Sequence, residues 1–243
     1  MDRDRGPAGP PVTGHPGDGS PEPEEGSIRV LLVDDQELFR EGVRVIVDAQ
    51  PGMHVVGVAA DGHEAVRQAA RLQPDVVLMD LRMPGLDGVE ATRRLLAPEL
   101  ARTRARPLRV VVLTTFDLDD RAATAIRHGA SGFLLKTTTP VQLRDAIRTV
   151  HTGNAVLAPG DLATLLDSQL TAREPLPASY QTLTEKEREV LAAVARGLSN
   201  TEMAREFFLA ESTVKTHVGA VLRKLGLRDR VQVVVFAHEH GLR

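Results

Sequence analysis

The chain has 243 residues, a hydrophobic content of 42% and a formal net charge of −3. This length allows two small domains with separate cores, and the composition is that of an ordinary globular protein. The sequence contains no cysteine, which excludes disulfides and thiol catalysis. We find no signal segment and no apolar run of about 18 residues, so we expect a soluble, cytoplasmic protein with no membrane partner.

Residues 1–26 are rich in proline, glycine and acidic residues and hold few apolar side chains. Such a segment buries too little apolar surface to offset the entropy lost on ordering. We therefore expect a disordered tail.

Residues 27–153 alternate between short apolar runs and segments of helical periodicity. The predicted strands are 28–33, 55–59, 76–80, 108–113 and 132–135. Helices are predicted between residues 35 and 50 and over 62–72, 88–96, 119–128 and 140–153, the last capped by Thr139 and Gln142 around Pro140. Five β-α units in succession predict an α/β fold with a five-stranded, doubly wound parallel sheet of order 2-1-3-4-5.

Residues 154–182 are predicted to be a linker, with a short helix over 161–170 and an irregular segment after it. Residues 183–243 predict an all-α domain of four helices. Two capping boxes, Thr184 with Glu187 and Ser199 with Glu202, begin the first two helices, and Ser212 and Asp229 are the expected caps of the other two. A short helix, a tight turn and a longer helix form a helix-turn-helix.

The third of these helices carries one apolar stripe, and small and basic residues occupy the opposite face. Gly219 in mid-helix costs about 1 kcal/mol relative to alanine, which indicates a surface that something approaches closely. His217 lies beside the apolar stripe, which favours a packing role. The last 60 residues carry 10 Lys and Arg against eight Asp and Glu, so charge alone does not establish nucleic-acid binding.

Polar residues stand at the carboxyl ends of four predicted strands: Asp34 and Asp35, then Asp80, Thr114 and Lys136. In this strand order they converge on one crevice. Carboxylates so close together need a cation, and hard oxygen ligands favour Mg²⁺. One carboxylate can then accept a phosphoryl group, with a hydroxyl and an ammonium steadying its oxygens.

These segments, with Met83-Pro84 and Phe133-Leu-Leu-Lys136, resemble the receiver domain of bacterial two-component response regulators. The resemblance implies that Asp80 is phosphorylated by a sensor histidine kinase and that Mg²⁺ binds Asp34, Asp35, Asp80 and the backbone carbonyl of Arg82. It also implies that Thr114 and Lys136 contact the phosphoryl group and that Phe133 is an aromatic switch.

Each of the last three residues has a plainer interpretation when taken singly: a strand-end hydroxyl, a surface amine and a core ring. Two features depart from the family. The run Thr137-Thr-Thr139 follows Lys136 where many receivers place proline, and the loop from Pro98 to Pro107 is long and carries three arginines. We expect that loop to be solvated and flexible, with a partner site as the alternative.

Residues 183–191, 197–202 and 212–217, with Lys224-Leu-Gly226, closely resemble the LuxR-type helix-turn-helix. Together with the receiver, this is similar to a NarL/FixJ-subfamily response regulator. The resemblance implies double-stranded DNA as a partner, contacted by Ser212, Thr213, Lys215, Thr216, Arg223 and Lys224. It also implies a homodimer formed through the last helix, with Val231, Val234 and Val235 as the dimerisation residues.

We therefore predict a non-enzymatic, phosphorylation-gated regulator of transcription that binds its operator as a dimer. Three alternatives remain: a phosphorylation-independent regulator, a Mg²⁺-dependent phosphatase of the haloacid-dehalogenase type, and an RNA-binding antiterminator. The phosphatase family needs a second Asp two residues after its nucleophile, where this chain has Arg82. The small-residue face of the third helix favours DNA over RNA.

Overall fold

A computed structural model of the chain describes residues 26–104, 106–115, 120–154 and 174–242. The expected disordered tail and the expected linker helix over 161–170 lie outside these residues. Among the helices described, none is long and apolar enough to cross a bilayer.

The first part of the described chain is a five-stranded parallel sheet of order β2-β1-β3-β4-β5, as predicted. Its strands are β1 Ile28–Val33, β2 Met53–Ala59, β3 Val76–Asp80, β4 Arg109–Thr114 and β5 Gly132–Leu135. Every residue of β3 and β4 is buried, because helices cover both faces of the sheet.

The helices around the sheet are α1 Glu37–Asp48, α2 Gly62–Leu72, α3 Gly88–Leu95, α4 Pro98–Ala101, α5 Asp120–Arg127 and α6 Pro140–His151. Apolar side chains of α1 and α6 pack on one face of the sheet, and those of α2, α3 and α5 pack on the other. Side chains alternate along each strand, so Leu78 belongs to the first core and Met79 to the second.

The N-caps of α2 and α6 are both side-chain caps, and that of α6 was predicted from the sequence. Asp61 accepts a hydrogen bond from the backbone of Glu64, and Thr139 and Gln142 form the expected capping box around Pro140. The one-turn helix α4 was not predicted. It lies in the long loop before β4, and four residues are too few to show a helical period.

The expectation of a solvated loop holds for Arg102 and Arg106, which are exposed, but not for Arg104. The Arg104 guanidinium donates hydrogen bonds to the carbonyl oxygens of Ala69 and Pro74, beside the C-terminal end of α2. Arg104 thus ties the loop to the C-terminal end of α2.

The C-terminal part is all-helical: a 3₁₀ helix Ala178–Thr182, then α7 Glu185–Ala195, α8 Asn200–Glu206, α9 Glu211–Leu225 and α10 Arg230–Glu239. The 3₁₀ helix replaces the irregular end of the linker that we expected. Both capping boxes and the Asp229 cap are present as predicted. The Ser212 cap was wrong: α9 begins two residues earlier than that cap implies, its N-cap is Ala210, and no side chain caps it.

Candidate functional site

The carboxyl edge of the sheet brings the predicted acidic residues together. One ligand oxygen each of Asp34, Asp35 and Asp80 lies within 4.8 Å of the others. Asp34 and Asp80 are buried, whereas Asp35 is exposed. The backbone N–H of Arg82 donates to Asp80 Oδ1 at 3.2 Å, and that of Gln36 donates to Asp34 Oδ1 at 2.9 Å. The acidic cluster thus has a fixed geometry and one side open to solvent.

Lys136 reaches this cluster from the end of β5. Its Nζ lies 2.6 Å from Asp34 Oδ2 and 2.9 Å from Asp80 Oδ2. Burial alone lowers the pKa of Lys136, but its hydrogen bonds to Asp34 and Asp80 outweigh that effect and raise the pKa. Burial raises the pKa of Asp34, and the hydrogen bond from Lys136, which lowers that pKa, does not outweigh it. The ammonium is therefore held charged between two buried carboxyl groups.

Thr114 ends β4 and is buried beside this crevice. Its carbonyl oxygen accepts a hydrogen bond from the backbone N–H of Lys136 at 2.7 Å. Phe133 lies half-buried in β5 and packs against the core under α5. The Phe133 ring is thus part of the core on that face of the sheet.

Three further residues shape the site and were not singled out from the sequence. Lys136 Nζ lies 4.8 Å from the ring centroid of Phe39, and the Arg40 guanidinium donates to the Asp34 carbonyl oxygen. Gly88 begins α3 directly against β3, where any Cβ would overlap the carbonyl oxygen of Asp80. A glycine just after an N-cap Asp was the available signal for this close approach.

The helix-turn-helix presents α9 with Ser212, Lys215, Thr216 and Arg223 exposed. Thr213 is half-buried, and the Thr216 hydroxyl donates to the carbonyl of Ser212 at 3.0 Å. A Cβ at Gly219 would meet no heavy atom within 4 Å, so packing within the described chain does not require a glycine there. His217 is half-buried.

Lys224 has contacts other than those predicted. Its Nζ lies 2.6 Å from Glu187 Oε2 and donates to the carbonyl of Thr182 at 3.1 Å. The hydrogen bond from Lys224 lowers the pKa of Glu187. Lys224 therefore fastens α9 to the start of α7.

The predicted dimerisation residues Val231, Val234 and Val235 are all buried within the chain. They belong to one core with residues of α7 and the receiver helix α5. In this conformation all three side chains are enclosed within the chain, and their role in dimerisation stays a prediction.

The fold and the acidic site define a receiver joined to a helix-turn-helix domain, the architecture of a transcriptional response regulator. Comparison with known families agrees. The response regulator receiver domain matches residues 30–148, and the bacterial regulatory proteins of the luxR family match residues 181–237.

Among similar proteins, the uncharacterized transcriptional regulatory protein YxjL of Bacillus subtilis is 42% identical over 88% of this chain and 97% of its own length. The transcriptional regulatory protein LiaR of the same organism is 40% identical over 88% and 99%. The crystal structure of a LuxR-family response regulator from Aurantimonas sp. SI85-9A1 is 34% identical, with a TM-score of 0.50 over 59% of this chain and 97% of that chain.

The chain therefore belongs to the LuxR family of two-component response regulators. The predicted family, fold class and role as a DNA-binding regulator of transcription are confirmed.

Proposed function

We propose that Asp80 accepts a phosphoryl group from a sensor histidine kinase, and that this controls binding of the chain to double-stranded DNA as a homodimer. The observation that carries the proposal is the contact of Lys136 with both Asp34 and Asp80 at the carboxyl edge of the sheet. We place the receiver at residues 27–153 and the DNA-binding domain at 183–243.

The donor set fits Mg²⁺, because three carboxylates with hard oxygens face one small volume. Asp34, Asp35 and Asp80 would hold the ion, with the carbonyl of Arg82 as a further ligand. When bound, the ion supplies positive charge that offsets the phosphoryl oxygens.

In the transfer, an Asp80 carboxylate oxygen forms a bond to phosphorus as the bond from phosphorus to the kinase histidine nitrogen breaks. The histidine keeps the electron pair of the broken bond. Lys136 is already within 2.9 Å of Asp80 and would neutralise an equatorial oxygen, while the Thr114 hydroxyl would donate to another. The Phe133 ring would turn inward when the Thr114 side chain moves toward the phosphoryl group. Hydrolysis of the acyl phosphate would be the only other chemistry, so the chain is not an enzyme that acts on separate substrates.

For DNA binding, we propose that the exposed face of α9 enters the major groove, with Lys215 and Thr216 nearest the bases and Ser212, Thr213 and Arg223 along the backbone. Lys224 would support α9 through Glu187 instead of contacting DNA. A DNA partner implies a cytoplasmic protein.

The test of phosphorylation is the intact mass of the full chain after incubation with Mg²⁺ and acetyl phosphate. We expect wild type to gain one phosphoryl group, Asp80→Asn to gain none, and the control Asp145→Asn, exposed on α6, to match wild type. Equal phosphorylation of Asp80→Asn would refute the assignment of Asp80. No gain in any of the three proteins would favour the phosphorylation-independent regulator.

The test of the DNA interface is the salt dependence of binding to a duplex enriched from a random pool by the full chain. Loss of a phosphate contact in Arg223→Ala should reduce the slope of log K against log salt by about one. Lys186→Ala is the control, because that lysine is paired with Glu189 on α7. Equal slopes for all three proteins would argue against α9 as the DNA-contacting helix.

A further inference from the structure

The amino edge of the sheet, opposite the acidic site, holds a cavity lined by charged side chains. Its volume is about 230 Å³, and the residues that line it are Arg29, Gln73, Asp75, Arg104 and Arg106. Asp75 directly precedes β3 and Asp80 ends it, so the cavity lies about 16 Å from the phospho-acceptor at about 3.3 Å per residue. This cavity is therefore separate from the acidic site.

Arg29, at the start of β1, lines the cavity with a guanidinium that is only partly engaged. Its Nη2 donates to the carbonyl oxygen of Leu72 at 2.8 Å. Among the described residues, no other acceptor contacts this guanidinium, which is a planar fork of several N–H donors. The remaining donors of Arg29 can therefore bind a ligand.

Arg104 lines the cavity from the loop between α4 and β4. Its guanidinium donates to the carbonyl oxygens of Ala69 and Pro74, which are uncharged. Its Nε is buried, and no described residue accepts a hydrogen bond from it. Burial lowers the pKa of Arg104, and the nearby charge of Asp75 does not outweigh that effect. An anion in the cavity would supply the counter-charge that the neutral carbonyls lack.

Asp75 is the one carboxylate in the lining, and it balances only part of the positive charge. Its side chain is buried, and its Oδ2 accepts a hydrogen bond from the backbone N–H of Arg29 at 3.0 Å. Its Oδ1 lies 3.6 Å from Nη1 of Arg106, which is too far for a hydrogen bond. Three guanidinium groups and one carboxylate leave the lining with a net charge of +2.

The Arg106 side chain is 64% exposed, and its long contact with Asp75 holds it weakly. Because it lies at the rim of a cavity that already contains two other arginines, it can turn toward a ligand without unfolding any element. The guanidinium groups of Arg29, Arg104 and Arg106 thus come from chain segments far apart in sequence and meet only at this edge of the sheet.

The lining selects a compact oxyanion. Arginine binds phosphate through parallel N–H···O hydrogen bonds, and a phosphoryl dianion matches a net charge of +2. The volume approaches the small end of the range for small-molecule sites, about 300–1,000 Å³. A protein partner would need a contact area of roughly 800 Å² on this chain, far more than the cavity offers. The size and charge therefore favour a small ligand.

We propose that this cavity binds the phosphoryl group of a small molecule, either inorganic phosphate or a phosphate monoester, through Arg29, Arg104 and Arg106. The ligand joins the start of β1 to the loop before β4, so it stabilises the receiver as its concentration rises. Binding here needs no phosphoryl transfer to Asp80, so the two sites can be tested separately.

The experiment is an NMR titration of the isotope-labelled full chain with inorganic phosphate, with chloride at equal ionic strength as the reference. Mg²⁺ is left out, so that phosphate is not drawn to the acidic site. We expect the backbone amide signals of Arg29, Gln73 and Asp75 to shift saturably with phosphate and not with chloride. Shifts that fail to saturate, or that chloride reproduces, overturn the inference.

Arg106→Met removes one guanidinium from the lining and keeps an apolar stem. Arg102→Met is the matched control, since Arg102 is an exposed arginine of the same loop that does not line the cavity. We expect Arg106→Met to bind phosphate about tenfold more weakly, as for the loss of one hydrogen bond to a charged group, and Arg102→Met to match wild type. Equal weakening in both variants indicates general attraction to a basic loop and overturns the site.

Asp75→Asn tests the same site in the opposite direction. The asparagine side-chain oxygen can still accept the hydrogen bond from the Arg29 backbone, but the negative charge beside the ligand is lost. Phosphate should therefore bind several-fold more tightly. Unchanged or weaker binding by folded Asp75→Asn overturns the placement of the phosphoryl group beside Asp75. If this variant does not fold, the comparison of Arg106→Met with Arg102→Met decides.

The source of the phosphoryl group is distinguished by a second titration with glycerol phosphate. Tighter binding than that of inorganic phosphate, with the same amide signals shifting, assigns the cavity to a phosphorylated small molecule. Equal or weaker binding assigns it to free phosphate. Binding of neither probe at these amides overturns the inference, whatever the outcome of phosphorylation at Asp80.

Discussion

Phe208, in the turn between α8 and α9, offers the sharpest test of the backbone of the helix-turn-helix. Its φ is +56°, in the left-handed region, and its side chain is 95% exposed. A non-glycine residue in this conformation costs about 1–2 kcal/mol. The exposed ring packs on little that would offset this cost, so Phe208→Gly should stabilise the DNA-binding domain.

The expected gain follows from two opposing terms. Glycine removes the local strain, but it also raises the conformational entropy of the unfolded chain, which offsets about 0.4–1 kcal/mol of the gain in stability. The net stabilisation is therefore about 0.5–1 kcal/mol, which raises the melting temperature of a domain of this size by roughly 4 °C. Phe208→Ala is the control, because it removes the ring and keeps a Cβ at positive φ, so it should stay within about 0.5 kcal/mol of wild type.

Tyrosine fluorescence reports on the surroundings of a single residue in this domain. Tyr180 is the only tyrosine of the chain, and there is no tryptophan. Its ring stacks 6.5 Å from that of Phe236 and near the Arg188 guanidinium, so unfolding changes its surroundings. Urea unfolding followed at this residue gives the free energy for each variant. Equal shifts in the Gly and Ala variants would refute the strain argument, as would destabilisation by glycine.

Three further predictions concern close packing, buried charge and pH. Gly88→Ala should destabilise the receiver by about 1–3 kcal/mol, because the new Cβ would overlap backbone atoms. Urea unfolding followed by circular dichroism measures this loss. The control Gly42→Ala, on the open side of α1, should be neutral or stabilising. Lys136→Met should destabilise the receiver by about 3 kcal/mol without divalent cation, since two buried carboxylates lose their counter-charge. Mg²⁺ should restore part of that lost stability. An equal loss with and without Mg²⁺ would argue against a cation site. The hydrogen bond from Lys224 holds the pKa of Glu187 in the folded chain below its usual value. Ionised Glu187 therefore stabilises the folded chain fully above its unfolded pKa of about 4.3. That stabilisation is lost as the pH falls through the lower folded pKa. The stability difference between wild type and Glu187→Gln, from tyrosine fluorescence, should therefore be constant near neutral pH and shrink in acid, and a difference that persists below the folded pKa would contradict this.

Much of the architecture follows from local patterns. Short, mostly apolar runs of four to six residues predicted all five strands, and capping residues predicted the starts of α6, α7, α8 and α10. Where such a signal is weak, prediction failed. Ala210 has no side chain to cap α9, so the sequence favoured Ser212 instead.

The acidic site was predictable because the carboxyl ends of parallel strands meet at one edge of a sheet. That rule brought Asp34, Asp80 and Lys136 together without knowledge of their side-chain contacts. It could not find Phe39, since that ring acts through packing on Lys136, which is far away in the chain.

The residues of α10 predict a helix that is apolar on nearly all sides and must be buried. Its partner becomes visible in the folded chain, because hydrophobic burial is non-directional and an apolar face does not specify what covers it. The same holds for Lys224, whose charge suits DNA or Glu187 equally well until the helices are packed. The specific partner comes from polar groups distant in sequence, such as Ser131 and Asp229, which only folding brings within hydrogen-bonding distance.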